Sequence, residues 1–417
     1  MKNPAFGPAE ILLPTVPLGQ WCAVACDQFT SRPDYWAAAA AAAGDGPSTL
    51  GMICPEYRLL GEDAPAPEAE AERVRLAMER ALTEGALRPA AGGMLYLERT
   101  LPSGKVRRGL VGALDLERFD PRPGHRGPVR ATEEVVEDRV PMRLAIRRRA
   151  PLELPHAMML MDDRGRTVLE PLSAAIGEMQ LEYTGGLMLG GGSIRGWSLT
   201  PEQMDQVDAA LLRLAERGPM ELAVGDGNHS LAAARRCWEE VRRGLPRREW
   251  EDCPARYALV ELTNLWDDAL EFEPVHRVAM GVSPDCLLED LIHDLGASVL
   301  PKEGALELRY VTLGMEGRLW IPGPPRTLLA RTLQSFLDRC EEDPRCRVDY
   351  IHGEEELRRA AEREDAIGFL MPPLPKEELF PAVQEGGPLP RKTFSMGEAR
   401  EKRYYLEARR LRQRTTL

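Results

Sequence analysis

The residues best placed to do chemistry form one short segment near the middle of the chain. An apolar run ends at two glycines that flank an aspartate, and a helix-prone Leu-Ala-Ala-Ala-Arg follows closely. The glycine and polar members of this segment are Gly225, Asp226, Gly227, Asn228, His229 and Ser230. This order predicts a strand, a tight turn and the start of a helix, where backbone N–H groups and the helix dipole favour an anion, above all phosphate.

An ordinary turn is the competing interpretation of the same segment. Asp-Gly-Asn before a helix is also typical of an Asx turn with an Asn or Ser cap and no ligand. The segment does, however, place a carboxylate, an amide, an imidazole and a hydroxyl together at the predicted helix start. Both interpretations therefore stay open on the residues alone.

The elements around the turn indicate a mixed α/β fold, and we expect α/β (mixed α+β) as the fold class. Thr200-Pro-Glu-Gln203 has the pattern of a capping box, and Gly218-Pro219 ends the helix that follows. Residues 257–262 and 367–371 are typical of buried strands. Helices and strands thus alternate along the chain.

Several other segments carry weaker expectations. Residues 49–54 and the apolar residues 21–26 are typical of strands. The glycine-rich residues 183–197 predict a flexible surface loop, with a mobile lid or a phosphate loop as the alternative. The pattern of residues 396–412 predicts a charged helix. Prolines and glycines at 121–128 suggest a domain edge, which gives three regions at 1–125, 126–280 and 281–417.

Composition excludes several classes of protein. The 417 residues are 43% hydrophobic and 29% charged, with a net charge of −12, which opposes general binding of nucleic acid or anionic membranes. The first residues lack a signal-peptide core, and no apolar run is long enough to span a bilayer. The eight cysteines match neither zinc nor Cys-x-x-Cys spacing, so we expect reduced thiols, no bound metal and a cytoplasmic protein. A homo-oligomer stays open.

Segments spread over nearly the whole chain resemble one family. They are residues 21–31, 129–133, 137–139, 154–156, 225–230, 271–277, 350–353 and 389–399. Together and in this order they resemble the bacterial family called domain of unknown function 1015. The central motif of that family, usually Asp-Gly-His-His-Arg, is similar to the phosphate-binding motif of the ParB/sulfiredoxin superfamily, which includes kinases of free serine.

The resemblance implies a ParB/sulfiredoxin-like core at 126–280 with additional N- and C-terminal elements, and a nucleotide phosphate at the helix start. ATP or ADP with Mg²⁺ is the implied cofactor, with Asp226 as the metal ligand. This chain departs from the family motif twice, because Asn228 replaces the first His and Ser230 replaces the Arg. Ser230 cannot supply the charge of a bidentate arginine, so another cation has to do so or the ligand is less charged.

The same resemblance assigns roles to individual residues. Catalytic roles fall to Glu133 as general base or magnesium ligand, to Asp226 as its alternative, and to His229, which would contact or protonate a phosphoryl oxygen. The residues expected to bind phosphate or nucleotide are Gly225, Gly227, Asn228, Ser230, Arg139 and Arg277. Apart from the resemblance, the position of Asp27, Gln28 and Thr30 just after the strand-like residues 21–26 predicts that they bind substrate, because α/β sites gather at strand ends. An Asp cap or a Thr-Ser turn before the next helix is the alternative interpretation. A solvent-exposed acidic face is an equal interpretation of Glu133, and a structural histidine is the favoured interpretation of both His156 and His276.

Two functions from different classes follow. The first is a nucleotide-dependent phosphotransferase or phosphatase that acts on a small hydroxylated metabolite, with serine or phosphoserine as the leading substrate. The second is a non-catalytic nucleotide-sensing or regulatory protein that keeps the pocket. The changed motif favours the second function, and the density of acids and histidines favours the first.

Overall fold

Strands form where apolar residues are continuous or alternate, and helices form where they recur every three or four positions. The computed structural model describes residues 4–60, 63–122, 124–323 and 329–412. Within these residues the helices are α1 (Leu18–Trp21), α2 (Pro33–Ala43), α3 (Pro67–Thr83), α4 (Val140–Arg149), α5 (Leu169–Ala174), α6 (Pro201–Ala215), α7 (Asn228–Arg243), α8 (Pro284–Leu295), α9 (Leu329–Cys340), α10 (Glu354–Ala360) and α11 (Lys376–Gly386). The strands are β1 (Phe6–Gly7), β2 (Leu12–Pro14), β3 (Leu87–Pro89), β4 (Leu95–Thr100), β5 (Val106–Asp115), β6 (Val129–Ala131), β7 (Leu152–Glu153), β8 (Met158–Met161), β9 (Gln180–Gly186), β10 (Ser193–Ser198), β11 (Leu222–Asp226), β12 (Tyr257–Asn264), β13 (Phe272–Met280), β14 (Ala305–Thr312), β15 (Met315–Pro322), β16 (Arg347–His352), β17 (Ala366–Leu370), β18 (Phe394–Met396) and β19 (Arg409–Arg410).

The first unit is built on a mixed sheet and combines Met1–Glu271 with Gly397–Leu417. The strand order is β6-β11-β8-β12-β5-β4-β10-β9, and β1 also pairs with β5. Two of these pairings are parallel, β6 with β11 and β8 with β12, and the others along this path are antiparallel. The mixed α/β class predicted from the sequence is confirmed.

The helix before β11 shows how the sequence sets local structure in this unit. The Thr200 hydroxyl accepts the N–H of Gln203 at 3.3 Å, and the Gln203 side chain accepts the N–H of Thr200 at 2.9 Å, so the predicted capping box is present. The helix buries Val207 and Leu211 against the sheet core. Together with β11 it leads the chain to the glycine turn.

The second unit, Phe272–Met396, has its own antiparallel sheet. Its strand order is β15-β14-β17-β13-β16, and β18 pairs with the first residues of β13. Leu287, Leu333 and Phe369 belong to its core, which α8 and α9 help to form. The chain therefore divides into two compact units, whereas the sequence suggested three consecutive regions. The Pro- and Gly-rich residues 121–128 fall inside the first unit.

Two expectations about the N-terminal part were wrong. Residues 49–54 form a 3-10 helix over Thr49–Met52, and α1 ends at Trp21, after which Val24 makes only an isolated bridge with Tyr404. The cause lies in one buried side chain. The Thr49 hydroxyl accepts the N–H of Ala23 and donates to the carbonyl of Trp21, both at 2.8 Å, and so takes backbone groups that a strand ladder would have used.

The glycine-rich residues 183–197 form the hairpin of β9 and β10 and not a flexible loop. The glycines leave room for aromatic rings. A Cβ at Gly196 would lie 2.2 Å from the ring of Tyr183, and a Cβ at Gly191 would lie 2.4 Å from that of Tyr404. Glycine serves packing here, because it lets rings approach the strand.

The charged helix predicted for residues 396–412 was also wrong. Only Ala399–Glu401 is helical, as one 3-10 turn, and the chain then runs extended to β19, which pairs with β7. Arg403 and Glu407 are buried and pair with each other at 2.7 Å. Because these charges have partners inside the unit, the segment does not need the solvent-facing side that a charged surface helix requires.

No helix among the described residues combines the length and the apolar character that crossing a bilayer requires.

Candidate functional site

The glycine turn connects a strand directly to a long helix, as the sequence predicts. β11 ends at Asp226, Gly227 has a φ of +85°, and α7 begins at Asn228. The carboxylate of Asp226 accepts the N–H of Gly227 at 2.8 Å. A Cβ at Gly227 would lie 2.8 Å from the Cα of Ala157, so both the backbone angle and the space call for glycine. The first turn of α7 contains no acidic residue, so an anion there meets no fixed negative charge on the helix itself.

The strand beside the turn brings Glu133 to the same edge of the sheet. β6 runs parallel to β11 with Ala131 opposite Val224, and the hydroxyl of Thr132 donates to the carbonyl of Val224 at 2.5 Å. Glu133 and Asp226 each follow this register pair by two positions. Because parallel strands end at the same edge, the two predicted carboxylates leave the sheet side by side.

His229 ties the Glu133 loop to the helix. Its Nε2 accepts the N–H of Val136 at 3.0 Å, which leaves the ring proton on Nδ1 when the imidazole is neutral. His229 and Glu133 are therefore held in one local structure, although they lie far apart in the sequence. The hydrogen bond also gives His229 a structural role that the sequence did not indicate.

Asn228 is the most buried of the polar side chains in residues 225–230. It is 5% exposed, and its Oδ1 has no hydrogen-bond partner among the described residues. A half-turn about the last side-chain bond exchanges oxygen and nitrogen, so this end of the amide presents either an acceptor or a donor. A buried amide oxygen without a partner at a helix start is costly, so a group that bonds to this end of the amide would stabilise the turn.

His156 lies just before β8 and connects Ser230 to Tyr405. Its Nε2 is 3.4 Å from the Ser230 hydroxyl, and its Nδ1 is 2.8 Å from the Tyr405 hydroxyl. Burial lowers the pKa of His156, and the charges of Asp27 and Asp226 oppose that shift. The imidazole is therefore neutral near pH 7, and it fixes the position of the Ser230 hydroxyl.

The segment from Gly397 onward supplies a cation that the sequence analysis missed. Lys402 is 8% exposed, and its Nζ lies 3.5 Å from Asp226. Its neighbour Arg403 pairs with Glu261 at 2.8 Å and donates to the carbonyl of Pro155 at 2.8 Å. This segment therefore holds a positive charge beside the turn, where the family motif carries an arginine.

Arg139 lies nearby but already has an acidic partner. Its guanidinium is 3.5 Å from Glu56, which also pairs with Arg143 at 2.6 Å. The N–H of Glu56 donates to the carbonyl of Cys26, next to Asp27. Arg139 is thus engaged by Glu56, and a phosphate would have to compete with that carboxylate for it.

The predicted substrate-binding residues are only partly drawn into the site. Asp27 acts on the pKa of His156, which places its charge near that ring. Gln28 donates to Asp27 at 3.1 Å, and Phe29, with a φ of +52°, stacks on Tyr35 at 3.8 Å. Thr30 is half-buried in the same turn.

Arg277 belongs to the second unit. It is fully buried there, where it donates to the carbonyl of Val275 and lies over the ring of Tyr350 at 5.4 Å. The carbonyl oxygen and the aromatic ring both interact favourably with the positive charge of Arg277 inside that unit. Its predicted role as a phosphate ligand stays a prediction.

A cavity of about 140 Å³ adjoins the helix start. Its polar lining includes Glu56, Arg143, His156, Ser230 and Tyr405. Residues of α3, α4 and α7 supply much of its apolar lining. Cys26 also lines it, and burial raises the pKa of that thiol to about 11, so it is protonated near neutral pH.

The sequence held a weak signal for the groups that were missed. Lys402, Arg403 and Tyr405 lie in one basic and aromatic run, which the expectation of a solvent-exposed helix concealed. His156 was considered, and a structural role was favoured. Only the pairing of the strands shows that it reaches the same sheet edge as Asp226, since Met158 lies opposite Asp226.

The fold and the site together define a mixed α/β protein with a polar site at a helix start, where two parallel strands end. The chain belongs to the family described as protein of unknown function DUF1015, whose model matches residues 10–413. No curated protein matches the sequence significantly.

Several solved structures are similar to this one at low sequence identity. A free serine kinase in complex with AMP is 12% identical with a TM-score of 0.41, over 72% of this chain and 92% of that one. SbnI from Staphylococcus aureus, with a C-terminal truncation, is 9% identical with a TM-score of 0.38, over 69% and 82%. A conserved hypothetical protein from Pyrococcus furiosus is 12% identical with a TM-score of 0.36, over 71% and 90%.

Proposed function

We propose that the helix-start site, meaning residues 225–230 with Glu133, His156 and Lys402, binds the phosphates of a nucleotide and transfers a phosphoryl group to or from a small hydroxylated metabolite. One observation carries the proposal. Glu133 and Asp226 leave neighbouring parallel strands beside the open end of α7. Phosphoryl transfer needs donors for the phosphate oxygens and a carboxylate near the attacking hydroxyl, and this edge offers both.

The donors come from the start of α7. The N–H groups of its first turn and the unpaired amide of Asn228 face a phosphate that binds above the turn. The Ser230 hydroxyl, oriented by His156, adds a donor in place of the family's arginine. Lys402 supplies the positive charge that Ser230 lacks. These groups bind and orient the phosphate and balance its charge.

The base comes from the two strand ends. A hydroxyl that attacks phosphorus must lose its proton, and a positioned carboxylate accepts it. Glu133, which follows β6, is the proposed base, and Asp226, which is paired with Lys402 and accepts the N–H of Gly227, is the alternative base or metal ligand. Serine and phosphoserine are the leading substrates, and this choice rests on the motif resemblance alone.

A magnesium ion delivered with the nucleotide is part of this proposal. Mg²⁺ in such sites usually takes one or two carboxylates and completes its shell with phosphates and water. Glu133 and Asp226 would be those carboxylates. When bound, the ion would neutralise phosphate charge.

A nucleotide-binding regulator is the second candidate. It is favoured by the loss of the motif's arginine at Ser230 and by the ion pair that already engages Asp226. In this case the site would bind the nucleotide without transferring phosphate. Turnover distinguishes the two functions.

The test is nucleotide turnover by the full chain with ATP or ADP, Mg²⁺ and a panel that includes serine, threonine, homoserine and phosphoserine. Phosphoryl transfer to or from one of these is expected, and Glu133→Gln should lower its rate by about 100-fold or more. Glu134→Gln is the matched control, since Glu134 is the adjacent exposed acid and should leave the rate unchanged.

Binding measured by calorimetry completes the test. Nucleotide binding that Asp226→Asn weakens, without turnover on any substrate of the panel, would establish the regulator instead of the enzyme. If neither nucleotide binds, both candidate functions are wrong. Equal turnover by the Glu133 and Glu134 variants would remove Glu133 from the reaction.

A further inference from the structure

The second unit contains a groove of its own along β13. The groove has a volume of about 400 Å³, which is in the range of small-molecule sites. Its charged and polar lining residues are Glu273, His276, Glu307, Arg309 and Glu354. This β13 groove is assigned no role in the function proposed above.

His276 is a buried polar residue of the β13 groove, and a backbone hydrogen bond holds its ring in place. The residue is 3% exposed, and its Nδ1 accepts the N–H of Met371 at 3.0 Å. A neutral ring whose Nδ1 accepts a hydrogen bond must carry its proton on Nε2. Burial lowers the pKa of His276, which keeps the ring neutral at pH 7. Nε2–H has no protein partner among the described residues, and the side chain lines the groove, so this donor is open to an acceptor that binds there.

The tautomer excludes a metal ion at this nitrogen. A histidine binds a metal through an unprotonated nitrogen, but here Nδ1 is taken by the backbone and Nε2 carries the proton. The partner of Nε2–H is therefore an oxygen acceptor. Arg309, whose side chain is 41% exposed, adds a positive charge to the same groove. A carboxylate suits both donors.

The acidic residues that line the groove are Glu273, Glu307 and Glu354, and an acid without an ion-pair partner there would bind a cation. Glu307 pairs with Arg318 at 3.0 Å, and Glu354 pairs with Arg309 at 3.6 Å. Glu273 makes no ion pair among the described residues of the unit, so its carboxylate is available to an ammonium group. The groove thus offers a hydrogen-bond donor and a guanidinium for an anion, and a carboxylate for a cation.

We propose that the β13 groove binds a free amino acid, with its carboxylate on His276 and Arg309 and its ammonium group toward Glu273. A zwitterion is the ligand that satisfies the Nε2–H donor of His276 and the unpaired acid together. The proposal is independent of phosphoryl transfer at the helix-start site, since all of its residues belong to the second unit.

The test is calorimetry of the full chain with individual L-amino acids, alongside their methyl esters and N-acetyl derivatives. At least one amino acid is expected to bind, and both derivatives should bind more weakly because each removes one charge. Glu273→Gln and His276→Asn should each weaken binding by about tenfold or more. Asparagine is chosen because its oxygen can still accept the N–H of Met371, while the Nε2 donor is lost.

Two controls make the result specific to the groove. Glu355→Gln changes the net charge equally on an exposed residue that does not line the groove, and it should leave binding unchanged. Asp226→Asn should also leave this binding unchanged, because Asp226 belongs to the helix-start site. Binding that Asp226→Asn abolishes while Glu273→Gln does not would assign the amino acid to the first unit. That result, or no binding at all, would overturn the proposal.

Discussion

The helix-start site and the β13 groove differ in whether their polar side chains already have protein partners. At the helix start, His229 accepts a backbone N–H and Asp226 pairs with Lys402. In the groove, Nε2–H of His276 and the carboxylate of Glu273 have no partner within the described residues. His229 and Asp226 hold segments of the first unit together. His276 and Glu273, in contrast, both lie on β13 and are held in place by that strand and its neighbours.

This difference separates stability from binding. A substitution at the helix start should alter both, because the side chains that face a ligand also fix the backbone around it. A substitution in the groove should alter binding and leave the fold nearly unchanged. The predictions below test this comparison in order of decreasing effect.

The largest effect is expected at Glu261, on β12 beside the start of β8. Glu261 is 2% exposed and pairs with Arg403 at 2.8 Å and with Arg107 at 3.4 Å. Glu261→Gln leaves two buried guanidinium groups short of a counter-charge and should lower the free energy of unfolding by about 3 kcal/mol or more. Urea unfolding of the full chain measures it. Glu251→Gln, on the surface, is the control, and equal midpoints for the two variants would contradict the prediction.

A smaller but still large effect is expected at Gly227. Alanine there must adopt a φ of +85° and would meet Ala157 at 2.8 Å, so Gly227→Ala should cost roughly 2–4 kcal/mol and disrupt the site. Gly177→Ala is the matched control, because a Cβ at Gly177 meets nothing within 4 Å. Thermal unfolding compares the two. An unchanged melting temperature for Gly227→Ala would show that the turn does not constrain the site.

His229→Ala should have an intermediate effect. The substitution leaves the N–H of Val136 without its acceptor and should lower the free energy of unfolding by about 1–2 kcal/mol. In the groove, Glu273→Gln should stay within about 0.5 kcal/mol of the parent chain. A reversed order of these two variants in urea unfolding would refute the contrast between the sites.

The smallest effect is a pH dependence that the two units share. Burial lowers the pKa of both His156 and His276 below the ordinary value of about 6.5, so the folded chain binds these protons less tightly than the unfolded chain does. Their contribution to stability is present above about pH 6.5 and is lost as the pH falls below it.

Urea midpoints measured from about pH 8 to about pH 5 test this dependence. His276→Asn should flatten part of the fall, and the exposed His293→Asn should not. A curve for His276→Asn that runs parallel to that of the parent chain would contradict the assignment.

Local patterns in the sequence predicted local structure well. The capping box at Thr200 and the glycine turn before α7 are both present, because each depends on neighbours in the chain. The placement of Glu133 near Asp226 came from a motif resemblance, and it stays a prediction as a catalytic arrangement. The register of β6 and β11 supports it.

Non-local structure could not be predicted in the same way. Lys402 and Tyr405 reach the site only because residues 397–412 return to the first unit and run extended between buried partners. Their charges suggested a surface helix, since a sequence shows the charge of a residue but not its distant partner. His276 was considered only as a structural histidine or a ligand, because its tautomer depends on a backbone N–H far along the chain.

The return of residues 397–412 has a consequence for synthesis. The ribosome makes the whole of Phe272–Met396 before it makes Lys402, so the helix-start site has to wait for its cation while the second unit is translated. The chain leaves the first unit after Glu271 and re-enters it at Gly397. These two residues are hydrogen-bonded, because the N–H of Gly397 donates to the carbonyl of Glu271 at 3.2 Å. A nascent chain that stalls inside the second unit therefore carries the glycine turn without Lys402 and Arg403, and such unfinished products would lack a complete helix-start site.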